Sequence, residues 1–116
     1  MTTRDTRRTD LERLARKLRT PHDIQRFLND LPYSTHDRCL SPWRVLHERS
    51  AHCAEGAYLA AALFTLQGGT PLVIDLLAEN DDDHLIAPFR VEGHWGAVAK
   101  SNTTVLRYRE PVYRTL

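Results

Sequence analysis

The sequence predicts an α+β domain, with helices in the first half of the chain and a small antiparallel sheet in the second half. Apolar residues recur at helical spacing as far as residue 67, and short β-rich segments separated by turns follow from residue 72. Because the helices precede the strands instead of alternating with them, an α+β fold is favoured over a parallel α/β fold. The 116 residues are enough for one domain, which we expect to span residues 1–116.

The first predicted element is a basic amphipathic helix within residues 1–19. These residues carry seven basic and three acidic side chains, and apolar residues recur at helical spacing on the opposite face (Leu11, Leu14, Ala15 and Leu18). Thr9 and Glu12 have the spacing of a capping box. Nucleic-acid readers add interleaved aromatic residues or a recognisable module, and neither is present, so we expect a solvated face and no nucleic-acid partner. An arm for nucleic acid or an acidic partner stays an alternative.

Three further helices are expected in the helical half of the domain, residues 20–69. A hydroxyl residue followed by proline marks two helix starts, at Thr20-Pro21 and at Ser41-Pro42. The third and most apolar helix lies within residues 51–67, and we call it the central helix. Because it is apolar nearly all round, we expect it to be covered on several sides. Gly68-Gly69 ends it, since glycine adopts the left-handed conformation without strain.

The sheet half, residues 70–116, contains three or four short strands. We expect them over residues 72–77, 84–90, 95–100 and 105–108, with turns at 80–83 and 92–93. Pro88 has no amide donor, so its strand lies at an edge or carries a bulge there.

The composition narrows the class of protein. Sixteen basic and fifteen acidic residues give a net charge of +1, which provides no strong field for a polyanion. The sequence has no apolar run long enough to span a bilayer and no secretory signal, and two cysteines are too few for a disulfide scaffold. We therefore expect a cytoplasmic protein with reduced thiols and no membrane partner.

Cys53 and His84 are the candidate catalytic residues. Cys53 lies at or near the start of the central helix, where free amides and the helix dipole favour the thiolate and lower a cysteine pKa below its ordinary ~8.5. A thiolate nucleophile still needs a proton donor for the leaving group, and His84, at a strand start beyond the helix, is the candidate. Such a thiolate–imidazolium pair performs cysteine acyl transfer. An inert core cysteine and a hydrogen-bonded turn histidine are the alternative.

Four segments resemble a bacterial branch of the transglutaminase-like superfamily. They are residues 51–57 (AHCAEGA), 71–76 (PLVIDL), 82–84 (DDH) and 95–102 (WGAVAKSN). The resemblance covers about residues 30–116 and implies a papain-like core, in which the nucleophilic cysteine opens a buried helix and the base histidine lies on the sheet. Cys53 and His84 match those two positions. Members of this branch continue beyond a motif like REPVYRTL, so we expect the chain to be C-terminally truncated.

The third catalytic position departs from the superfamily pattern. A carboxylate on the following strand orients the histidine in that superfamily, and alignment on Trp95 places it at Ala99, which has no acceptor side chain. Ser101 is two residues further and shares the face of Ala99, so we expect it to orient the imidazole. Asn102 replaces it if the strand ends or bulges there. Loss of the acid implies slow turnover or none.

The resulting prediction is a transglutaminase-like cysteine acyl-transfer enzyme, a hydrolase or transferase acting on a peptide, amide or thioester. Its catalytic residues are Cys53, His84 and either Ser101 or Asn102, and this chemistry requires no metal and no organic cofactor. A catalytically silent module of the same fold that binds a peptide or protein partner is the main alternative. Cys39 and the nearby histidines lack the paired spacing of a closed zinc site. The substrate, the acyl acceptor and the oligomeric state are left open.

Overall fold

The computed structural model describes residues 3–35, 38–69, 72–76, 84–100 and 109–113. Its helices precede its strands, which confirms the predicted α+β class. Over the described residues the elements are α1 (Thr3–Lys17), α2 (Pro21–Asp30), α3 (Pro42–Glu48), α4 (Cys53–Leu66), β1 (Ile74–Leu76), β2 (His84–Val91), β3 (His94–Val98) and β4 (Arg109–Tyr113).

The strands form one antiparallel sheet in the order β1-β2-β3-β4. The β1 strand pairs with the first three residues of β2, and β3 pairs with residues 87–91. Pro88 therefore lies opposite Ala97 of β3 and beyond the stretch that pairs with β1, which suits a residue without an amide donor. The fourth strand was expected over residues 105–108, which lie outside the described residues, and β4 begins at Arg109.

Local signals account for the helix ends. The hydroxyl of Thr20 accepts a hydrogen bond from the Asp23 amide at 3.1 Å, and the Asp23 carboxylate accepts one from the Thr20 amide, forming a capping box. Ser41 caps α3 in a similar way. Gly68, with φ at 92°, follows Gln67, the C-cap residue of α4, and ends the helix as predicted. The prediction of Thr9 as a cap is wrong, because α1 begins at Thr3 and Thr9 lies within it.

The hydrophobic core is formed by α4 together with residues of the other helices and of the sheet. Leu59 and Leu63 of α4 are fully buried, and Phe64 packs on Phe89 of β2 with ring centroids 5.7 Å apart. Each such side chain contributes roughly 1.5–3 kcal/mol on burial, so α4 organises the domain. The expectation that this helix is covered on several sides is confirmed, and its exposed residues are Tyr58, which is 44% exposed, and Thr65.

The basic helix α1 docks on α3 through one polar cluster. The Asp10 carboxylate accepts hydrogen bonds from Trp43 Nε1 and His47 Nε2, each at 3.1 Å. Arg7 lies over the Trp43 ring, 4.6 Å from its centroid. These contacts fix α1 while its apolar side packs on the core, and the basic side chains from Arg8 to Lys17 face solvent. No helix among the described residues is long and apolar enough to cross a bilayer.

Candidate active site

Cys53 is the first residue of α4, as the sequence predicts, and its sulfur lies against the start of β2. The Leu85 amide donates a hydrogen bond to Cys53 Sγ at 3.1 Å, and Sγ lies 3.6 Å from the Leu85 carbonyl oxygen. The residue is half-buried and its thiol is not part of a disulfide. The sulfur therefore occupies the junction of the helix start and the strand start.

His84 immediately precedes the residue that contacts the sulfur. It opens β2, where it pairs with Leu76 of β1, and its Cα is about 3.8 Å from that of Leu85. The fold thus brings the backbone of His84 to the sulfur, although the two residues are 31 positions apart (84 minus 53). The imidazole lies outside the described part of the residue, so the Sγ–imidazole distance stays a prediction.

A capping box closes the start of α4 directly beside the nucleophile. His52 Nδ1 accepts a hydrogen bond from the Glu55 amide at 3.3 Å, and the His52 amide donates to Glu55 Oε1 at 3.0 Å. Because Nδ1 accepts, the bonding pattern assigns the ring proton to Nε2, which donates to the Arg38 carbonyl at 2.6 Å. The sequence reasoning missed His52, although its spacing to Glu55 is that of a capping box.

Glu55 links the helix start to the preceding loop. Its side chain is fully buried, and Oε2 accepts a hydrogen bond from the Leu40 amide at 2.8 Å. Through the capping box this residue stabilises the start of the helix. Residues 38–40 are thereby held over the turn that carries Cys53.

The second cysteine, Cys39, lies in this held loop and is exposed. The partial burial that its thiol does experience raises the pKa of Cys39, and the negative charge of Glu55 raises it further. Cys39 is thus predominantly a thiol at neutral pH.

Among the described residues, no group of three or more histidine, cysteine or acidic side chains is arranged to hold a metal ion.

A second bridge ties the exit of α2 to the entrance of α4. The Ser34 amide donates to the Ala51 carbonyl at 3.0 Å, and the Ala51 amide donates to the Pro32 carbonyl at 3.1 Å. This parallel bridge sets the chain direction into His52 and Cys53.

The third catalytic position is resolved only in part. Ala99 is fully buried, and the side chain of Gln25 binds both its amide and its carbonyl. Ser101 and Asn102 lie outside the described residues, so their roles stay predictions. The sequence reasoning missed Gln25 and Lys100, both buried polar residues at this end of the sheet.

Trp95 lies in a groove away from Cys53. It lines an apolar groove of about 550 Å³ together with Phe64, Gly69 and Val91, and Arg90 lies over its ring at 5.5 Å. This groove is at the C-terminal end of α4, and the 14 residues of the helix at about 1.5 Å each place that end about 20 Å from Cys53. The described geometry therefore gives Trp95 a place in the hairpin packing, away from the sulfur.

Comparison of the sequence with models of known protein families and with curated proteins finds no match. The transglutaminase-like resemblance accordingly stays a prediction from the sequence segments themselves.

Proposed function

We propose that the chain is a transglutaminase-like cysteine acyl-transfer enzyme with Cys53 as nucleophile and His84 as general acid and base. The observation that carries the proposal is the pair of contacts between Cys53 Sγ and the Leu85 backbone, one residue from His84. A half-buried thiol at a helix start, next to a strand that begins with histidine, supports the proposal, because acyl transfer needs a thiolate beside an imidazole. A reducing, cytoplasmic location suits such a thiol.

In the proposed reaction, the Cys53 thiolate adds to the carbonyl carbon of an amide or thioester in a peptide-like substrate. The Cys53 backbone N–H, at the helix start, stabilises the developing oxyanion. The His84 imidazolium donates its proton to the leaving nitrogen or sulfur as that bond breaks, leaving a thioester on Cys53. Neutral His84 then takes a proton from water or an amine, which attacks the thioester and releases the thiolate. Ser101 or Asn102 orients the imidazole, and no metal or organic cofactor takes part.

Alkylation by iodoacetamide across pH tests this proposal. The experiment uses a Cys39→Ser background, in which Cys53 is the remaining thiol of two. We expect the rate of alkylation to rise with a midpoint well below ~8.5, and His84→Ala to move that midpoint upward. His94→Ala is the matched control, because His94 also opens a strand but is exposed and bonds to the Glu92 carbonyl. A midpoint near 8.5 or above that His84→Ala leaves unchanged would rule the mechanism out.

The absence of an acceptor side chain at Ala99 favours a second candidate, a catalytically silent module that binds a peptide or protein partner. The resemblance places the histidine-orienting acid at this position, where the side chain is a methyl group and the residue is fully buried. Without an orienting group, the imidazole holds the wrong tautomer for part of the time. Labelling of Cys53 by a broad cysteine electrophile faster than a free thiol would argue against this candidate.

A further inference from the structure

Two buried polar side chains fasten the end of β3 to α2. Gln25 is 4% exposed, its Nε2 donates to the Ala99 carbonyl at 2.7 Å, and its Oε1 accepts from the Ala99 amide at 3.0 Å. This pair of bonds resembles one rung of a β-ladder in which a side chain replaces the neighbouring strand. Ala99 is thereby fixed in both position and orientation.

Lys100, the next residue, is bound at the C-terminal end of the same helix. It is 2% exposed, and its ammonium donates to the carbonyl oxygens of Leu28, at 2.7 Å, and Leu31. These carbonyls belong to the last turn and the C-cap of α2, where the helix dipole is negative, so a cation is stabilised there. We refer to Gln25 and Lys100 together as the α2 anchor.

The stem of Lys100 also contacts the turn that carries the nucleophile. A Cβ built on Gly56 would lie 2.2 Å from Lys100 Cβ, so the absence of a side chain at Gly56 is what permits this approach. Gly56 lies three residues after Cys53, and its amide bonds to the His52 carbonyl at 2.9 Å. One continuous set of contacts therefore runs from α2 through Lys100 to the first turn of α4.

This arrangement is not the one that core stability alone would favour. Burial of an ammonium requires its removal from water, and an apolar side chain of similar volume fills a core site at lower cost. What the anchor provides is a fixed register between residues 99–100 and the first turn of α4. The chain passes directly from Lys100 into Ser101 and Asn102, the predicted partners of the imidazole.

We infer that Gln25 and Lys100 are positioning residues of the acyl-transfer site, which hold the end of β3 in register with the helix start at Cys53. The inference rests on the proposed function, because it assigns these residues a role in that same site. Neither residue touches the substrate. They act through the backbone of residues 99–100 and through Gly56.

The test compares Gln25→Met and Lys100→Met, near-isosteric changes that delete the polar contacts, with Ile24→Val in the Cys39→Ser background. Ile24 is a fully buried neighbour of Gln25 on α2, so its truncation lowers stability without touching the anchor. We expect both anchor variants to move the alkylation midpoint of Cys53 upward. A shift of one pH unit lowers the rate about tenfold at pH values well below the midpoint, whereas Ile24→Val leaves the profile unchanged.

If a methionine variant fails to fold, Gln25→Asn decides the question, because it keeps an uncharged amide whose side chain is one methylene too short to reach the amide and the carbonyl of Ala99 together. Anchor variants that lower the melting temperature but keep the alkylation profile of Ile24→Val would overturn the inference and leave the proposed function standing. An ordinary thiol profile in the protein with native Gln25 and Lys100 would overturn both.

Discussion

The close approach at Gly56 gives a sharp test of the packing beside Cys53. In Gly56→Ala the new Cβ would be 2.2 Å from Lys100 Cβ and 3.1 Å from Cγ, whereas ordinary contact begins at 3.4 Å. The first gap must therefore widen by at least 1.2 Å (3.4 minus 2.2). Lys100 cannot swing aside at low cost, because the clash is at its Cβ and its ammonium is bound to α2.

The magnitude follows from two opposing effects. Replacement of glycine by alanine in a helix is worth up to about 1 kcal/mol in propensity. Overpacking of a filled core costs about 1–3 kcal/mol, and a contact this short belongs at the upper end of that range. We therefore expect net destabilisation of about 1–2 kcal/mol, or a fall in melting temperature of about 4–8 °C for a domain of this size.

Thermal and urea unfolding followed by circular dichroism measure the effect. Ala54→Gly, in the same turn of α4, is the control for propensity and should destabilise by about 0.5–1 kcal/mol. A Gly56→Ala protein that is as stable as the wild type, or more stable, would refute the close contact between α4 and Lys100. It would also remove the contact through which the α2 anchor reaches the first turn of α4.

Three further predictions concern single charged or ionisable groups. The Glu55 carboxylate accepts hydrogen bonds from two backbone amides, and Glu55→Gln turns an amide NH₂ toward one of these donors. We therefore expect urea unfolding to show that the free energy of unfolding falls by about 1–3 kcal/mol. Unchanged stability would contradict this hydrogen-bond pattern. The hydrogen bond from Trp43, followed by that from His47, lowers the pKa of Asp10 below its ordinary 3.8. The ionised carboxylate therefore stabilises the fold above pH 3.8, and this contribution is lost as pH falls through the lower folded value, so Asp10→Asn should flatten the acid limb of melting temperature against pH. Burial and Glu55 raise the pKa of Cys39 above that of an ordinary cysteine thiol, so in a Cys53→Ser background its alkylation midpoint should lie above ~8.5, and Glu55→Gln should lower it.

The features that the sequence predicted well are those determined within a few residues. The caps at Thr20 and Ser41 depend on hydroxyls next to the backbone amides they satisfy, and the end of α4 depends on the left-handed backbone that Gly68 adopts. The prediction of Thr9 as a cap is wrong because it used spacing alone, and a capping-box spacing also occurs inside helices. Local spacing identifies helix ends only where the preceding residues cannot extend the helix.

The features that the sequence did not predict join distant parts of the chain. Gln25 and Ala99 are 74 positions apart, and nothing near either residue indicates a buried amide bound to a backbone. Lys100 at the end of an apolar strand reads as a residue that reaches solvent, yet its ammonium is buried on α2. The one local signal was Gly56, a glycine inside a strongly helical segment, which indicates close backbone approach.

The buried carboxylate of Glu55 also constrains how Cys53 is activated. The positive end of the α4 dipole favours a thiolate, but Glu55 places a full negative charge in the same turn, and that charge is satisfied by the amides of His52 and Leu40. The His52 cap uses the amide of Glu55 and not that of Cys53. The helix start alone is therefore a weak source of thiolate stabilisation, and in the proposed mechanism the His84 imidazolium supplies most of it. It follows that His84→Ala, and not the loss of the cap, should have the largest effect on the alkylation profile.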